Sequence, residues 1–398
     1  MDILADIVLD IRHGGLKGGA DLPRWNVRFD LDVAFGDAGL VRLISEATAL
    51  SKVIYGVPLP PSIRREIDRL NIHRAVRGTT GIEGSDLTVE EVDRVLDADE
   101  GEHVLTDSRK REEQEVRNAR DVHYYVADVL DANPDRPLTE ETICEIHELT
   151  TSKIDYKDNV PGEYRNHPVH AGNYSAPATG EEVRQLMPQF IDWVNDAGTR
   201  EWPPITRAIA AHFYLISIHP FGDGNGRTAR AVESYLLYQA GINACGFYSL
   251  SNFYYNNRAE YESMLDYTRF SSGGSLTPLI KFSSAGLVGE LETVHKEVLD
   301  QMTRISYRDY CYQCLMNTDK IGTKAGKRMF ELIQALAVHG SVKLDDPHVQ
   351  SSYARLSRKT LARDLAFLEA EDLVIREGNE VRANLAIMEH FKISRPGT

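Results

Sequence analysis

The chain has 398 residues, with 45 Lys and Arg against 60 Asp and Glu, a formal net charge of −15 and a pI of about 5.4. This length exceeds one small core, so two or three domains are expected, and the acidic balance argues against a chain devoted to bulk nucleic-acid or anionic-membrane binding. No apolar run approaches the ~20 residues of a membrane span, and Met1-Asp-Ile-Leu-Ala-Asp6 lacks the positive region of a signal peptide, so we expect a cytoplasmic protein.

The cysteines give no disulfide framework. They are Cys144, Cys245, Cys311 and Cys314. The last two have CxxC spacing, but there is no second pair to complete a zinc site. We therefore expect buried thiols on a helix, with metal or redox use as the less favoured interpretation.

Residues 1–110 are predicted to form an N-terminal helical segment. The stretch through Trp25 and Phe35 favours no particular element, Pro58-Leu-Pro-Pro61 marks a break, and a helix follows it. Leu87 to Leu96 then predicts a short helix, because Thr88 followed by Glu91 forms a capping box.

Residues 111–290 are predicted to form a helical core. The predicted helices are Glu112–Asp131, Thr139–Thr150, Glu181–Asp196, Thr206–Ile218 and Arg227–Ala240. The fourth ends at His219-Pro220, because proline disfavours helix at the residue before it, and the fifth is stopped by Gly241. The segment Val169–Pro177 carries the core's only clear β signal.

The run His219-Pro-Phe-Gly-Asp-Gly-Asn-Gly-Arg-Thr-Ala-Arg230 is suited to binding a nucleotide phosphate. Gly224 and Gly226 let main-chain N–H groups approach an anion, and a helix beginning near Asn225 adds the positive end of its dipole. Arg227 and Arg230, three apart, point from the same first turn.

Two further side chains of this run suggest chemistry. Asp223 precedes the turn, where a carboxylate can hold Mg²⁺ beside phosphates. His219 has the only side chain of the set whose ordinary pKa suits proton abstraction near neutrality. Phe221 is predicted to be a packed anchor of the loop with no chemical role.

The third part comprises a linker helix over 291–319 and a winged-helix-like domain over 320–398. It is predicted from helices at Lys324–His339, Pro347–Ala354 and Arg358–Glu371, followed by two strands within Leu373–Arg382. Arg355, Arg358, Lys359 and Arg363 concentrate positive charge there. DNA binding is therefore an open but unfavoured possibility, because winged helices also dock proteins and form dimers.

The motif as a whole resembles the signature of Fic domains, His-x-Phe-x-Asp/Glu-Gly-Asn-Gly-Arg-x-x-Arg, at every position from His219 to Arg230. The resemblance implies a mainly α fold: a Fic-type helical core with a β-hairpin flap, plus a C-terminal winged-helix domain. Gly162-Glu-Tyr-Arg165 with Val169–Pro177 is similar to the flap, on whose edge a target protein pairs by its main chain. A homodimer is also expected from the resemblance alone.

A second segment, Thr79-Thr-Gly-Ile-Glu83-Gly84, resembles the inhibitory motif of Fic proteins. The resemblance implies that Glu83 pairs with Arg230 where an ATP γ-phosphate would lie. Tyr254 to Tyr261 resembles the family's nucleoside-binding segment, so Asn256 or Asn257 would bond the adenine or ribose. Either asparagine is equally well explained as a helix cap.

The activity implied by the resemblance is protein adenylyl transfer, from ATP with Mg²⁺ to a Tyr, Ser or Thr hydroxyl. His219 would be the base, Asp223 the Mg²⁺ ligand, and Gly224, Asn225 and Gly226 would stabilise charge on the α-phosphate. Arg227 and Arg230 would position the outer phosphates, the latter only when Glu83 moves away.

Three alternatives remain open from the sequence. The first is AMP removal, with Glu83 aligning a water on a modified target. The second is phosphoryl transfer, as in the related Doc proteins, although those carry an Ala-Asn-Lys-like turn in place of Gly224-Asn225-Gly226. The third is a winged-helix DNA-binding regulator whose Fic core senses nucleotide.

Overall fold

The computed structural model describes residues 22–99, 101–172, 174–242, 250–346, 349, 353 and 356–391. The fold is mainly helical, as predicted. The chain divides into two compact units, Met1–His295 and Lys296–Thr398. Met1–Asp6, Cys245, Arg355 and most of the predicted helix Pro347–Ala354 lie outside the described residues, although Val349 and Tyr353 are helical.

The first unit consists of helices and one small hairpin. Its elements are α1 (Ala38–Gly56), α2 (Pro61–Ile82), α3 (Val89–Asp97), α4 (Lys110–Ala132), α5 (Glu140–Thr151), β1 (His170–Ala171), β2 (Tyr174–Ser175), α6 (Gly180–Asn195), α7 (Ala197–Arg200), α8 (Pro204–Ile218), α9 (Asn225–Gln239), α10 (Leu250–Asn256), α11 (Arg258–Phe270) and the first part of α12 (Thr277–Asn317). Each described helix is too short or too polar to cross a bilayer.

Helix caps place these boundaries close to the predicted ones. Thr88 and Glu91 form the predicted capping box at α3, and the Thr139 hydroxyl accepts from the Thr142 N–H at the start of α5. Helix α2 begins at Pro61, the last residue of the predicted break. The sequence therefore located the first turns correctly because the capping chemistry is local.

Helix α8 lies in the centre of the first unit. Every residue from Ile205 to Ile218 apart from the partly exposed Arg207 is buried, which matches its unbroken apolar pattern. The N-terminal stretch, which the sequence did not assign, packs aromatic side chains here: Trp25 lies 5.5 Å from Phe213, and Phe29 lies 5.0 Å from Tyr214. This burial holds an extended segment in place without regular structure.

Strands β1 and β2 form the predicted antiparallel hairpin, with His170 opposite Ser175. The outer edge of β2 is covered, because Ser175 N–H donates to the Pro23 carbonyl at 3.0 Å and Arg24 bridges to Ser175. Of the two edges of this hairpin, the edge of β1 is the one without a neighbouring strand among the described residues.

Helix α2 packs closely on α10. A Cβ on Gly78 would lie 2.6 Å from the main chain of Ser251, and one on Gly81 would lie 2.4 Å from the Tyr255 ring. These two glycines therefore allow the end of α2, and the residues after it, to approach the core.

The second unit contains the rest of α12 and one small sheet. Its other elements are α13 (Lys324–His339), β3 (Ser341–Lys343), α14 (Arg358–Ala370), β4 (Val374–Glu377) and β5 (Glu380–Ala383). The strands are antiparallel in the order β3-β5-β4. The buried Asp364 of α14 pairs with Arg328 of α13 at 2.8 Å.

The C-terminal cysteine pair lies on α12, as predicted, but only one of the two thiols is buried, because Cys314 is partly exposed. Cys311 is buried, and burial raises the pKa of its thiol to about 12, so it is protonated and unreactive at neutral pH.

Candidate active site

His219 terminates α8 in the left-handed conformation, with φ of +51°. Its Nδ1 lies 3.2 Å from the Ile216 carbonyl, which can only accept, so Nδ1 carries the proton and Nε2 carries the basic lone pair. Burial lowers the pKa of His219 to about 4, so the ring is neutral at pH 7. This tautomer and charge state suit a proton acceptor.

Arg165 fixes the main chain around this histidine. Its Nε donates to the His219 carbonyl at 2.7 Å, and its Nη2 donates to the Pro177 carbonyl at 2.7 Å. The Arg165 N–H also donates to the Pro220 carbonyl at 2.9 Å. Arg165 thus joins both ends of the flap segment to the motif loop, a role that the sequence analysis did not assign.

His147 of α5 packs against the motif loop that follows His219. The Phe221 ring, buried as predicted, stacks on it at 3.7 Å with 5° between the planes. Gly162 N–H donates to Nδ1 at 3.0 Å, so Nε2 carries the proton and donates to the Asp223 carbonyl at 2.9 Å. Burial lowers the pKa of His147 to about 4 and keeps this arrangement neutral.

The Asn225 side chain closes the loop. Its Oδ1 accepts from Phe221 N–H and its Nδ2 donates to the Phe221 carbonyl, both at 2.9 Å. Both amide groups are therefore used within the protein. Of Asn225, the main-chain N–H is the group that remains suited to the predicted contact with a phosphate.

The turn of the motif places main-chain N–H groups at the start of α9. Gly224 has φ of +72°, which favours glycine, and its N–H donates to Asp223 Oδ1 at 2.6 Å. A Cβ on Gly226 would lie 2.2 Å from Glu83 Oε1. The Glu83 carboxylate thus lies against the first turn of α9, in the position that an anion would take.

Arg230 is directed toward the C-terminal end of α2 and its capping residue, Glu83. Its Nη2 donates to Glu83 Oε1 at 2.6 Å and to the Thr79 carbonyl at 3.0 Å, and its Nε donates to Thr79 Oγ1 at 3.0 Å. Burial acts to raise the pKa of Glu83, but Arg230 and Arg227 outweigh burial and hold this pKa below its ordinary value. The carboxylate is therefore ionised at neutral pH.

Arg227 has different partners, although it lies only one turn earlier. Its Nη1 donates to the Tyr156 hydroxyl at 2.7 Å, and its Nη2 donates to Asp223 Oδ1 at 3.1 Å. The two arginines therefore contact different protein groups in this structure.

A cavity of about 410 Å³ joins these features. Its described wall comprises Ile82, Glu83, His170, Gly172, Ile216, His219, Gly226, Arg230, Arg258, Tyr261, Glu262, Leu265, Asp266 and Arg269. The predicted contacts Asn256 and Asn257 are not among these wall residues. Asn257 instead donates to the Phe253 carbonyl at 2.9 Å, and α11 supplies the wall through residues that the sequence analysis did not single out.

Asp223 fits the role of a Mg²⁺ ligand. Its side chain is 42% exposed, and the bonds described for it use Oδ1, which leaves Oδ2 for a ligand. Among the described residues there is no cluster of three acidic, histidine or cysteine side chains around a common point. A single carboxylate suffices where substrate phosphates and water complete the coordination.

A neutral histidine, a glycine turn at a helix N-terminus and buried arginines lie around one cavity, an arrangement suited to binding phosphate groups. Residues 137–237 match the family described as Fic/DOC. The chain therefore contains a Fic domain.

Curated relatives match part of the chain. A protein adenylyltransferase Fic from Aedes aegypti is 27% identical over 204 residues, 51% of this chain and 38% of the relative. One from Drosophila willistoni is 36% identical over 104 residues, 26% of this chain and 20% of the relative. The chain thus spans well under half the length of these relatives.

Two solved structures share the fold. A Fic family protein from Desulfovibrio desulfuricans G20 has a TM-score of 0.56 at 22% identity, covering 87% of this chain and 96% of that one. Fic-1 from C. elegans has a TM-score of 0.54 at 23% identity, covering 65% of this chain and 72% of that one.

Proposed function

We propose that this chain transfers AMP from ATP to a hydroxyl group of a protein and that Glu83 inhibits the transfer. One observation carries the proposal. The basic nitrogen of His219, the first turn of α9 and Arg230 surround a single cavity, and a carboxylate stands in it where a phosphate would bind. The adenylyltransferase names of the curated relatives support the same reaction.

In the proposed reaction His219 Nε2 takes the proton of the target hydroxyl. The hydroxyl oxygen forms a bond to the α-phosphorus, the bond from that phosphorus to the bridging oxygen breaks, and pyrophosphate leaves. The N-terminal turn of α9 stabilises the charge on the α-phosphate oxygens, because its N–H groups and dipole point toward them. The anionic nucleotide raises the low pKa of His219 and makes it a stronger base.

Arg227 and Arg230 would hold the outer phosphates and so fix the α-phosphorus for attack. Asp223 would bind Mg²⁺ through Oδ2. The ion would neutralise charge on the leaving pyrophosphate.

We propose that the target docks on the edge of β1. The covered edge of β2 leaves β1 as the strand that can accept a neighbouring chain, and His170 of β1 also lines the cavity. A hydroxyl side chain from a strand paired there would enter near His219.

A second candidate is AMP removal. It is favoured by Glu83 lying in the same cavity as His219, where an ionised carboxylate can orient a water molecule. The two reactions differ in their need for Glu83. Loss of Glu83 would increase AMP addition, because inhibition is removed, whereas it would abolish AMP removal.

We further propose that the second unit is a winged-helix domain. Its helices, the sheet order β3-β5-β4 and the hairpin β4–β5 support this assignment. Arg358, Lys359 and Arg363 are exposed on α14, and a duplex-binding assay with and without ATP would test DNA recognition.

The deciding experiment uses the full chain carrying Glu83→Gly, with Mg²⁺ and ATP labelled at the α- or γ-phosphate. Label transferred to protein only from the α position supports AMP transfer. Label only from the γ position would move the chain to phosphoryl transfer. No label from either, together with release of AMP from a modified protein by the unsubstituted chain, would favour AMP removal.

A further inference from the structure

The Tyr156 hydroxyl lies in a buried chain of hydrogen bonds behind the motif. It accepts from Arg227 Nη1 at 2.7 Å and lies 2.7 Å from Glu115 Oε1. A carboxylate only accepts, so the tyrosine proton points to Glu115 and its lone pair points to Arg227. The order Arg227, Tyr156, Glu115 is therefore fixed by chemistry.

All three groups are withdrawn from water. Arg227 is 6% exposed, Tyr156 5% and Glu115 8%. Burial acts to lower the pKa of Arg227, and Tyr156, Glu83 and Glu115 outweigh it and hold this pKa above its ordinary value. A buried guanidinium takes its orientation from such partners, because no solvent competes for its N–H groups.

The hydrogen bonds to Tyr156 and Asp223 do not use every N–H group of the Arg227 guanidinium. Arginine has five N–H groups, and Arg227 gives one to Tyr156 and one to Asp223. Its Nε is buried and has no hydrogen-bond partner among the described residues. Hydrogen bonds hold Nη1 and Nη2 in place, and the Tyr156 ring lies 5.2 Å from the guanidinium carbon. Because the guanidinium is planar, these contacts determine where the remaining three N–H groups point.

We propose that Tyr156 and Glu115 are positioning residues that aim Arg227 at the outer phosphates of the nucleotide. The proposal rests on the nucleotide-binding part of the proposed function. Glu115 lies 3.6 Å from Arg227 Nη1 and partly compensates its charge. It therefore orients the guanidinium but weakens the attraction of Arg227 for phosphate. Its role is thus distinct from that of a residue touching the nucleotide.

The test compares the affinities of ATP and AMP, because AMP lacks the outer phosphates. They are measured by calorimetry on the full chain with Mg²⁺, in the Glu83→Gly background. Tyr156→Phe keeps the ring and removes the link, and we expect ATP affinity to fall about tenfold while AMP affinity changes less than about twofold. Tyr235→Phe is the matched control, because its hydroxyl, also on a buried ring, bonds the Arg136 carbonyl at 3.0 Å instead.

Substitutions of Glu115 distinguish positioning of Arg227 from a simple effect of the carboxylate charge on ATP binding. If the carboxylate only screened Arg227, Glu115→Ala would raise ATP affinity, whereas loss of positioning lowers it. Glu115→Gln retains an acceptor for Tyr156 and should restore ATP affinity to within about threefold of the background. These variants also provide the test if Tyr156→Phe does not fold.

An equal loss of ATP and AMP affinity, no loss of either, or a gain in Glu115→Ala would overturn the proposal. The outcome does not depend on transfer. A selective loss of ATP affinity in a chain that transfers no AMP would uphold the positioning role and refute the transferase. AMP transfer together with unaltered ATP affinity in Tyr156→Phe would uphold the transferase and refute the positioning role.

Discussion

Replacing Glu83 by glycine directly tests the proposed inhibitory contact with Arg230. The carboxylate contributes one of three hydrogen bonds that Arg230 makes to this segment, and the other two, to Thr79, remain in Glu83→Gly. A hydrogen bond between charged groups contributes about 1.5–3 kcal/mol. Since the Glu83 side chain is 32% exposed, solvent screening reduces this to roughly 1–2 kcal/mol.

That energy corresponds to a rise of about 5–30-fold in the fraction of molecules whose Arg230 is available to ATP. The rate of label transfer from α-labelled ATP at subsaturating ATP should rise by the same factor. Glu83→Gln keeps an oxygen acceptor without the charge, so it should give an intermediate rise of about 3–10-fold. Glu102→Gly, in the exposed loop after α3, is the control for an added glycine.

Stability supplies a second measurement. Without nucleotide, Glu83→Gly should unfold more readily by about 1–2 kcal/mol, because Arg230 keeps its burial and loses its countercharge. With saturating ATP the difference should shrink, because the phosphate replaces the carboxylate. A folded variant with an unchanged rate and an unchanged response to ATP would refute the inhibitory role of Glu83.

Three further outcomes are expected. His219→Ala in the Glu83→Gly background should reduce label transfer at least about 100-fold while calorimetry finds ATP affinity within about twofold, and retained transfer would remove the histidine from the proposed step. Gly78→Ala should lower the free energy of denaturant unfolding by about 1–3 kcal/mol and raise transfer, because α2 must move away from α10; lower stability without higher transfer would separate the helix from inhibition. Burial raises the pKa of Asp68 from 3.8 to about 6, so its contribution to stability falls as pH rises from about 4 to 6. Asp68→Asn should therefore stabilise the chain by roughly 1–2 kcal/mol at pH 7 and have little effect near pH 4, and equal urea midpoints at pH 7 would contradict this.

The sequence predicted local features well. The limits of α3 and α5 follow from capping residues, and the motif from His219 to Arg230 carries its turn, helix start and arginines in one continuous run. The pairing of Glu83 with Arg230 was also predicted, through a family pattern rather than through periodicity.

The supporting residues were not predicted, because their partners lie far away in the sequence. Arg165 bonds a carbonyl 54 residues later, His147 one 76 residues later, and Tyr156 an arginine 71 residues later. A buried polar side chain in an isolated segment resembles any other polar residue until the fold supplies its partner. The side-chain amide of Asn225 has a loop-closing role that the motif pattern did not predict, whereas the predicted phosphate contact can still be made by its main-chain N–H.

In the proposed function, Glu83 and the nucleotide compete for the side chain of Arg230, and this makes inhibition and nucleotide binding reciprocal. If Glu83 lowers ATP affinity by a given factor, then ATP weakens the hold of the α2 segment on Arg230 by the same factor. Helix α2 is also held elsewhere, by Arg69 bonding both oxygens of Asp97 in α3 at 2.8 Å and by the close approach of Gly78 to α10. Changes at those contacts should therefore alter ATP affinity without touching the cavity, and in Glu83→Gly the same changes should lose most of their effect.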